Sequence, residues 1–147
     1  MKKTKLLAVL SAAMLGCCAM GGAAFAEETE PVDYSKYQMG DINLNGEVDI
    51  DDAQIALRLY TEYLVGRTAE ESYLRNGITA EQAKLGDIVS YKGTDLSNDL
   101  SDAFYILSYY ADNLSRKNAE ETVSEYVQRL INIGMANPDI IVNDRSL

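Results

Sequence analysis

The chain contains no histidine and no tryptophan, and its two cysteines, Cys17 and Cys18, both lie in the first 26 residues. Without histidine, Ser-His-Asp triads and histidine acid–base catalysis are excluded. Zinc sites lose their usual nitrogen and sulfur ligands. If residues 1–26 are removed, no thiol remains to act as nucleophile or to form a disulfide. The missing tryptophan weakens a sugar-stacking role. Basic residues are scarce as well, 13 Lys and Arg against 23 Asp and Glu, for a net charge of −10.

Residues 1–26 read as an export signal. Lys2, Lys3 and Lys5 give a positive start, Leu6 to Ala24 is apolar or small, and Ala24-Phe25-Ala26 offers a cleavage site. The expected mature start is Glu27. Two other readings are weaker. The glycines and alanines near Ala24 make a poor membrane anchor, and the residues before Cys17 and Cys18 fit a lipobox badly. Cleavage removes three basic residues and no acidic one, which moves the net charge to −13. Such a chain repels nucleic acid and anionic lipid, so neither nucleic acid nor membrane is expected as a partner, and it attracts cations. A mature chain of 121 residues without disulfides gains from a structural metal.

A repeat organises the rest. Gly40-Asp41-Ile42 recurs as Gly86-Asp87-Ile88, an offset of 46. Asp49, Asp52, Ala53, Leu57, Tyr60 and Leu64 then match Asp99, Asp102, Ala103, Leu107, Tyr110 and Leu114 at an offset of 50, so copy two carries four extra residues. Each copy reads as an acidic loop followed by a helix. In copy one the helix is expected from about Asp52 to Leu64, with Gly66 ending it. Ala53, Ala56, Leu57, Tyr60 and Leu64 fall on one face and are read as core. Ala103, Ile106, Leu107, Tyr110 and Leu114 repeat that face. Thr79 and Gln82 form a capping box for a short spacer helix. Asn118 with Glu121 is expected to cap a last helix, whose stripe is Val123, Tyr126, Val127, Leu130 and Ile131, stopped by Gly134 and Pro138. The tail from Asn137 has no clear period, and residues 27–38 form an acidic leader. The fold class is all-α.

Loop one places Asp41, Asn43, Asn45, Asp49 and Asp52 at positions 1, 3, 5, 9 and 12 of an EF-hand calcium loop. Glu47 would give its backbone carbonyl and Gly46 the sharp turn. Val48 is the apolar residue that pins the loop to its twin. Alternate residues point the same way, so the first three donors converge on one ion. Ca²⁺ takes six to eight hard oxygens, whereas Mg²⁺ wants tighter octahedral geometry. Loop two is poorer. Asp87, Asp95, Asp99 and Asp102 can close a cage around a bulged loop, but Val89, Ser90, Tyr91 and Lys92 replace the expected donors. We read it as degenerate or weak, leaving one calcium site and a doubtful second.

Residues 39–117 resemble the type I-like dockerins of the Ruminococcus kind. The resemblance is carried by Gly40 to Gly46, the Asp52-Ala53 and Asp102-Ala103 steps into helices, the two helices themselves, and the Ile78 to Gln82 spacer. It implies two F-hand calcium loops packed face to face with antiparallel helices, a short spacer helix, and an added C-terminal helix within residues 118–147. It also implies a secreted protein that anchors to a cohesin module of a scaffoldin in a polysaccharide-degrading complex, at the cell surface where the scaffoldin is held there. The family's contact positions fall here on Ile50, Asp51, Leu57, Arg58 and Glu62, and on Leu100, Ser101, Leu107, Ser108 and Asp112. Leu57 and Leu107 also fit the core stripe and are read as packing. Arg58 is the sharper candidate; its plainer role is a surface pair with Glu62 one turn on. The mismatch of Asp51 with Ser101 favours one docking orientation. No enzyme is expected. The alternative is a secreted calcium-binding protein without a cohesin partner.

Overall fold

The computed structural model describes residues 31–91, 98–116 and 120–144. The expected signal, the cap at Asn118 and the donor Asp95 lie outside the described residues.

A short 3₁₀ turn, Tyr34–Lys36, leads into loop one. Then follow α1 (Ile50–Leu64), α2 (Ala69–Asn76), α3 (Ala80–Gly86), β1 (Val89–Tyr91), α4 (Leu100–Ser115), α5 (Val123–Asn132) and β2 (Ile140–Val142). Every one of these five helices opens with a reciprocal capping box: Asp49 with Asp52, Thr68 with Glu71, Thr79 with Gln82, Asp99 with Asp102, and Thr122 with Glu125. Each box satisfies two backbone donors that a helix start leaves free. The spacer helix forms where Thr79 places it. Helix α2 and the Thr122 cap were both marked by the same threonine-to-glutamate spacing, which the periodicity reading passed over.

Helices α1 and α4 are the central pair. Val48 and Asp49, entering α1, share a hollow with Tyr109, Tyr110, Asn113 and Leu114 near the end of α4, so the two helices run antiparallel. Helix α5 lays Val123, Tyr126, Val127 and Leu130 against the same core. Its apolar stripe therefore packs internally and is not a free partner surface. Ile42, Leu85, Ile88, Val89, Ile106, Val123 and Val127 are fully buried, each contributing on the order of 1.5–3 kcal/mol of transfer free energy.

The chain is mostly helical, but not wholly. Strand β1 pairs antiparallel with β2, with Val89 opposite Val142, Ser90 opposite Ile141 and Tyr91 opposite Ile140. A three-residue strand is too short to show a period, which is why the tail read as featureless. The core stripe also needs correction. Leu57, Leu64, Leu107 and Leu114 are exposed, and the buried arcs are Asp52, Ala53, Ala56 and Leu59 on α1 and Asp102, Ala103, Tyr105, Ile106 and Tyr109 on α4. Both helices are apolar over two adjacent arcs, and the pair packs through the arc that contains the buried aspartates. Tyr60 and Tyr110 sit half-buried at its edge.

The repeated glycine has a steric reason. A Cβ on Gly40 would stand 2.9 Å from Val48 Cγ1. One on Gly86 would stand 2.6 Å from Ile42 Cδ1 and closer still to Asn98 Oδ1. Val48 and Asn98 are the same position in the two copies, so each loop seats its eighth residue on its own glycine. Ile42 and Asn98 are both buried and have little room to yield. Gly86→Ala is expected to destabilise the protein by about 1–3 kcal/mol through overpacking, read as a lower midpoint in urea.

Candidate metal centre

Loop one curls around its own acidic residues. Asp41 is fully buried; its Oδ1 accepts from Asn45 N at 3.1 Å and its Oδ2 from Gly46 N at 3.0 Å. Asn43 Oδ1 accepts from Asn45 N at 2.9 Å, and Asn45 Oδ1 from Glu47 N at 2.8 Å. Gly46 has φ +92°, the turn expected of it, and Leu44 joins it in the left-handed region at φ 62°. Glu47 is exposed at the rim. Asp49 caps α1 through Asp51 N at 2.8 Å, and its Oδ2 accepts from Asn45 Nδ2 at 3.3 Å. Asp52 closes the loop from inside the helix. Its Oδ1 accepts from Ile42 N and Asn43 N at 2.8 and 3.0 Å, and its Oδ2 from Asp49 N at 2.9 Å.

The electrostatics are those of buried negative charge. Burial pushes the Asp41 carboxyl up, held back by the N–H groups of Gly46, Asn45 and Leu44, with Asp49 adding repulsion. Burial likewise pushes Asp52 up to about 6 against its three backbone donors, and Asp41 adds to the rise. Among the described residues no group of three or more His, Cys, Asp or Glu side chains is arranged to hold a metal ion. What loop one assembles instead is a mixed set of aspartate and asparagine oxygens, several already accepting one N–H. Each carboxylate oxygen has two lone pairs, so Asp41 and Asp52 Oδ2 retain acceptor capacity. By donor chemistry the set suits a hard cation.

Loop two repeats the frame. Asp102 is fully buried and accepts from Ile88 N and Val89 N at 2.9 Å and from Asp99 N at 2.7 Å. Asp99 caps α4 through Ser101 N at 2.6 Å. The front of the loop differs, because Val89–Tyr91 is strand β1. Asp87 is half-buried and receives Asn143 Nδ2 on both its carbonyl oxygen, at 2.9 Å, and its Oδ1, at 3.1 Å. Burial pushes Asp102 up to about 8, with Asp87 and Asp99 contributing repulsion.

These shifts fix a pH dependence for the metal-free protein. Folded Asp52 and Asp102 keep protons that the unfolded chain, with carboxyls near 3.8, releases. The folded state therefore binds more protons from about pH 4 to about 6 for Asp52 and to about 8 for Asp102. Stability must fall as pH rises through that window. Glu121, lowered chiefly by its hydrogen bond from Arg129, works the other way, and its contribution is lost below its ordinary value of 4.5. In chelator, the thermal midpoint is expected to be higher at pH 5 than at pH 8; an equal or lower midpoint at pH 5 would refute this assignment.

The expected contact residues divide into free and engaged groups. Ile50, Asp51, Arg58 and Leu100 are exposed, and Ser108 is half-buried. Arg58 does not pair with Glu62, which is held instead by Arg67 and by Arg75 at 3.2 Å. Ser101 Oγ lies 3.1 Å from the Tyr91 hydroxyl. Asp112 is bound by Arg116 and, at 3.0 Å, by Arg129, which also holds Glu121 and stands 5.1 Å over the Tyr126 ring. The exposed leucines gather. Ile50, Ala53, Gln54 and Leu57 of α1 face Leu100, Ala103, Phe104 and Leu107 of α4 across one apolar groove. Leu57 is 44% exposed, Leu107 45% and Phe104 59%. Phe104 was missed in the sequence because its repeat partner, Gln54, is polar. Compared with known protein families, curated proteins and solved structures, the chain finds no match.

Proposed function

We propose that the protein is a secreted, non-catalytic docking module of the dockerin kind, folded around calcium and anchored to a cohesin of a scaffoldin in a polysaccharide-degrading complex. The observation that carries this reading is the duplicated loop–helix unit. Each copy is closed by a buried aspartate at the same place, and the two helices present one shared apolar groove. In loop one, Asp41, Asn43, Asn45, Asp49, Asp52 and the carbonyl of Glu47 would hold the ion. The ion supplies the positive charge that the buried carboxylates of Asp41 and Asp52 lack. The groove fits the apolar centre of a protein interface, and exposed Asp51 and Arg58 follow its lining residues Ile50 and Leu57 in the chain.

A second reading keeps the calcium and drops the cohesin. It is favoured by Glu62 and Asp112, two expected contact residues already spent on ion pairs within the chain. Capture on a panel of immobilised cohesins, in calcium and in chelator, separates the two. Calcium-dependent capture supports docking. Calcium binding with no capture by any cohesin leaves the second reading.

A further inference from the structure

Among its described residues, loop two lacks the side-chain amide oxygens that loop one carries at the same places, and the C-terminal tail lies against its front. Val89 and Tyr91 occupy the places of Asn43 and Asn45. Val89 is fully buried and offers no side-chain oxygen, and its backbone belongs to β1. Just beyond β2, Asn143 is bonded at every polar atom. Its N–H donates to Ile88 O at 2.8 Å. Its amide nitrogen donates to both oxygens of Asp87 named above. Its Oδ1 accepts from Ser90 Oγ at 3.2 Å and its carbonyl from Ser124 Oγ at 3.0 Å. In loop one, by contrast, the donors that Asp41 meets among the described residues are N–H groups of its own loop.

We infer that the C-terminal segment from Ile140 to Asn143 takes the place of a metal ion at the front of loop two: Asn143 donates to two oxygens of Asp87, and β2 holds Val89–Tyr91 as a strand. The two halves of the protein are thus closed by different means. Loop one is left to a cation, and the α4–α5 half is latched by the chain's own tail. The latched front of loop two, Asp87 to Tyr91, keeps its shape in chelator, so ion removal acts on loop one.

The test uses the full chain with Asn143→Ala and Asp87→Asn, melting each in EDTA and titrating each with Ca²⁺ by calorimetry. Asn143→Ala removes three side-chain hydrogen bonds, and its midpoint in EDTA is expected to fall by roughly 4–8 °C, with at least tenfold faster amide exchange at residues 89–91. Asp87→Asn keeps both acceptor oxygens for Asn143, so its calcium stoichiometry and affinity stay those of the parent. The inference is overturned if Asn143→Ala melts in EDTA like the parent, or if Asp87→Asn loses a calcium equivalent. Should Asn143→Ala fail to fold, the Asp87→Asn titration decides alone. The one-ion stoichiometry rests on the calcium reading of loop one. If the parent binds no calcium, that reading fails, and the latch is judged by the EDTA midpoints.

Discussion

Asp41→Ala is expected to weaken calcium binding by at least 100-fold and to leave the protein unable to gain stability from the ion. Asp41 stands at the first donor position of the proposed calcium loop, is fully buried, and orders the turn through Asn45 N and Gly46 N. Alanine removes one of three aspartate carboxylates from the candidate set and strands two backbone donors, at about 1–3 kcal/mol each if they stay buried. The parent, at free calcium 100 times its dissociation constant, gains about 2.7 kcal/mol of stability; the variant gains almost none. Asp41→Asn separates the two effects. It keeps an oxygen for the loop but loses the charge, so it should fold better than the alanine variant while still binding calcium far more weakly than the parent. Calorimetry gives the affinity and circular dichroism the helix that calcium adds. An Asp41→Ala protein with parental affinity would remove loop one as the site.

The loop–helix frame was legible because repetition doubled each signal. A single acidic turn means little, but Asp49 with Asp52 and Asp99 with Asp102 both form N-terminal caps and both close their loops. The stripe of α5 was legible for another reason: its apolar residues fall on one face and the opposite face is plainly polar. Helix α2 was hidden by its composition, since only Ser72 is buried in it; nothing in its apolar pattern announces a helix, and the Thr68 cap alone does. The core face of α1 and α4 was placed rightly at Ala53, Ala56, Ala103 and Ile106 and misplaced by one arc at its leucines. A periodicity count puts Leu57 in the core stripe and leaves Asp52 out of it, whereas here the aspartate is buried with its backbone bonds and the leucine is left outside. Loop two was read as degenerate from its missing donors. The tail residue that meets Asp87 lies 56 residues away at Asn143, and nothing local in Ile140, Ile141 and Val142 names Val89 as their neighbour.

That misplaced arc yields the second large effect. Leu57→Asp and Leu107→Asp are each expected to weaken cohesin capture by at least 100-fold, while calcium affinity and helicity remain those of the parent. Both leucines line the groove and both are nearly half exposed, so a carboxylate there meets water in the free protein at little cost to folding. In a complex the same carboxylate is buried against an apolar centre without a partner, which costs several kcal/mol. Leu74→Asp is the control. Leu74 is 83% exposed on α2 and does not line the groove, so it should change neither folding nor capture. Had the leucines been core, as periodicity alone proposes, the same aspartates would unfold the protein, and loss of capture would come with loss of helix. Retained helix with lost capture makes the groove the docking face. Retained helix with parental capture moves the contact elsewhere, with exposed Asp51 and Arg58 the next positions to change.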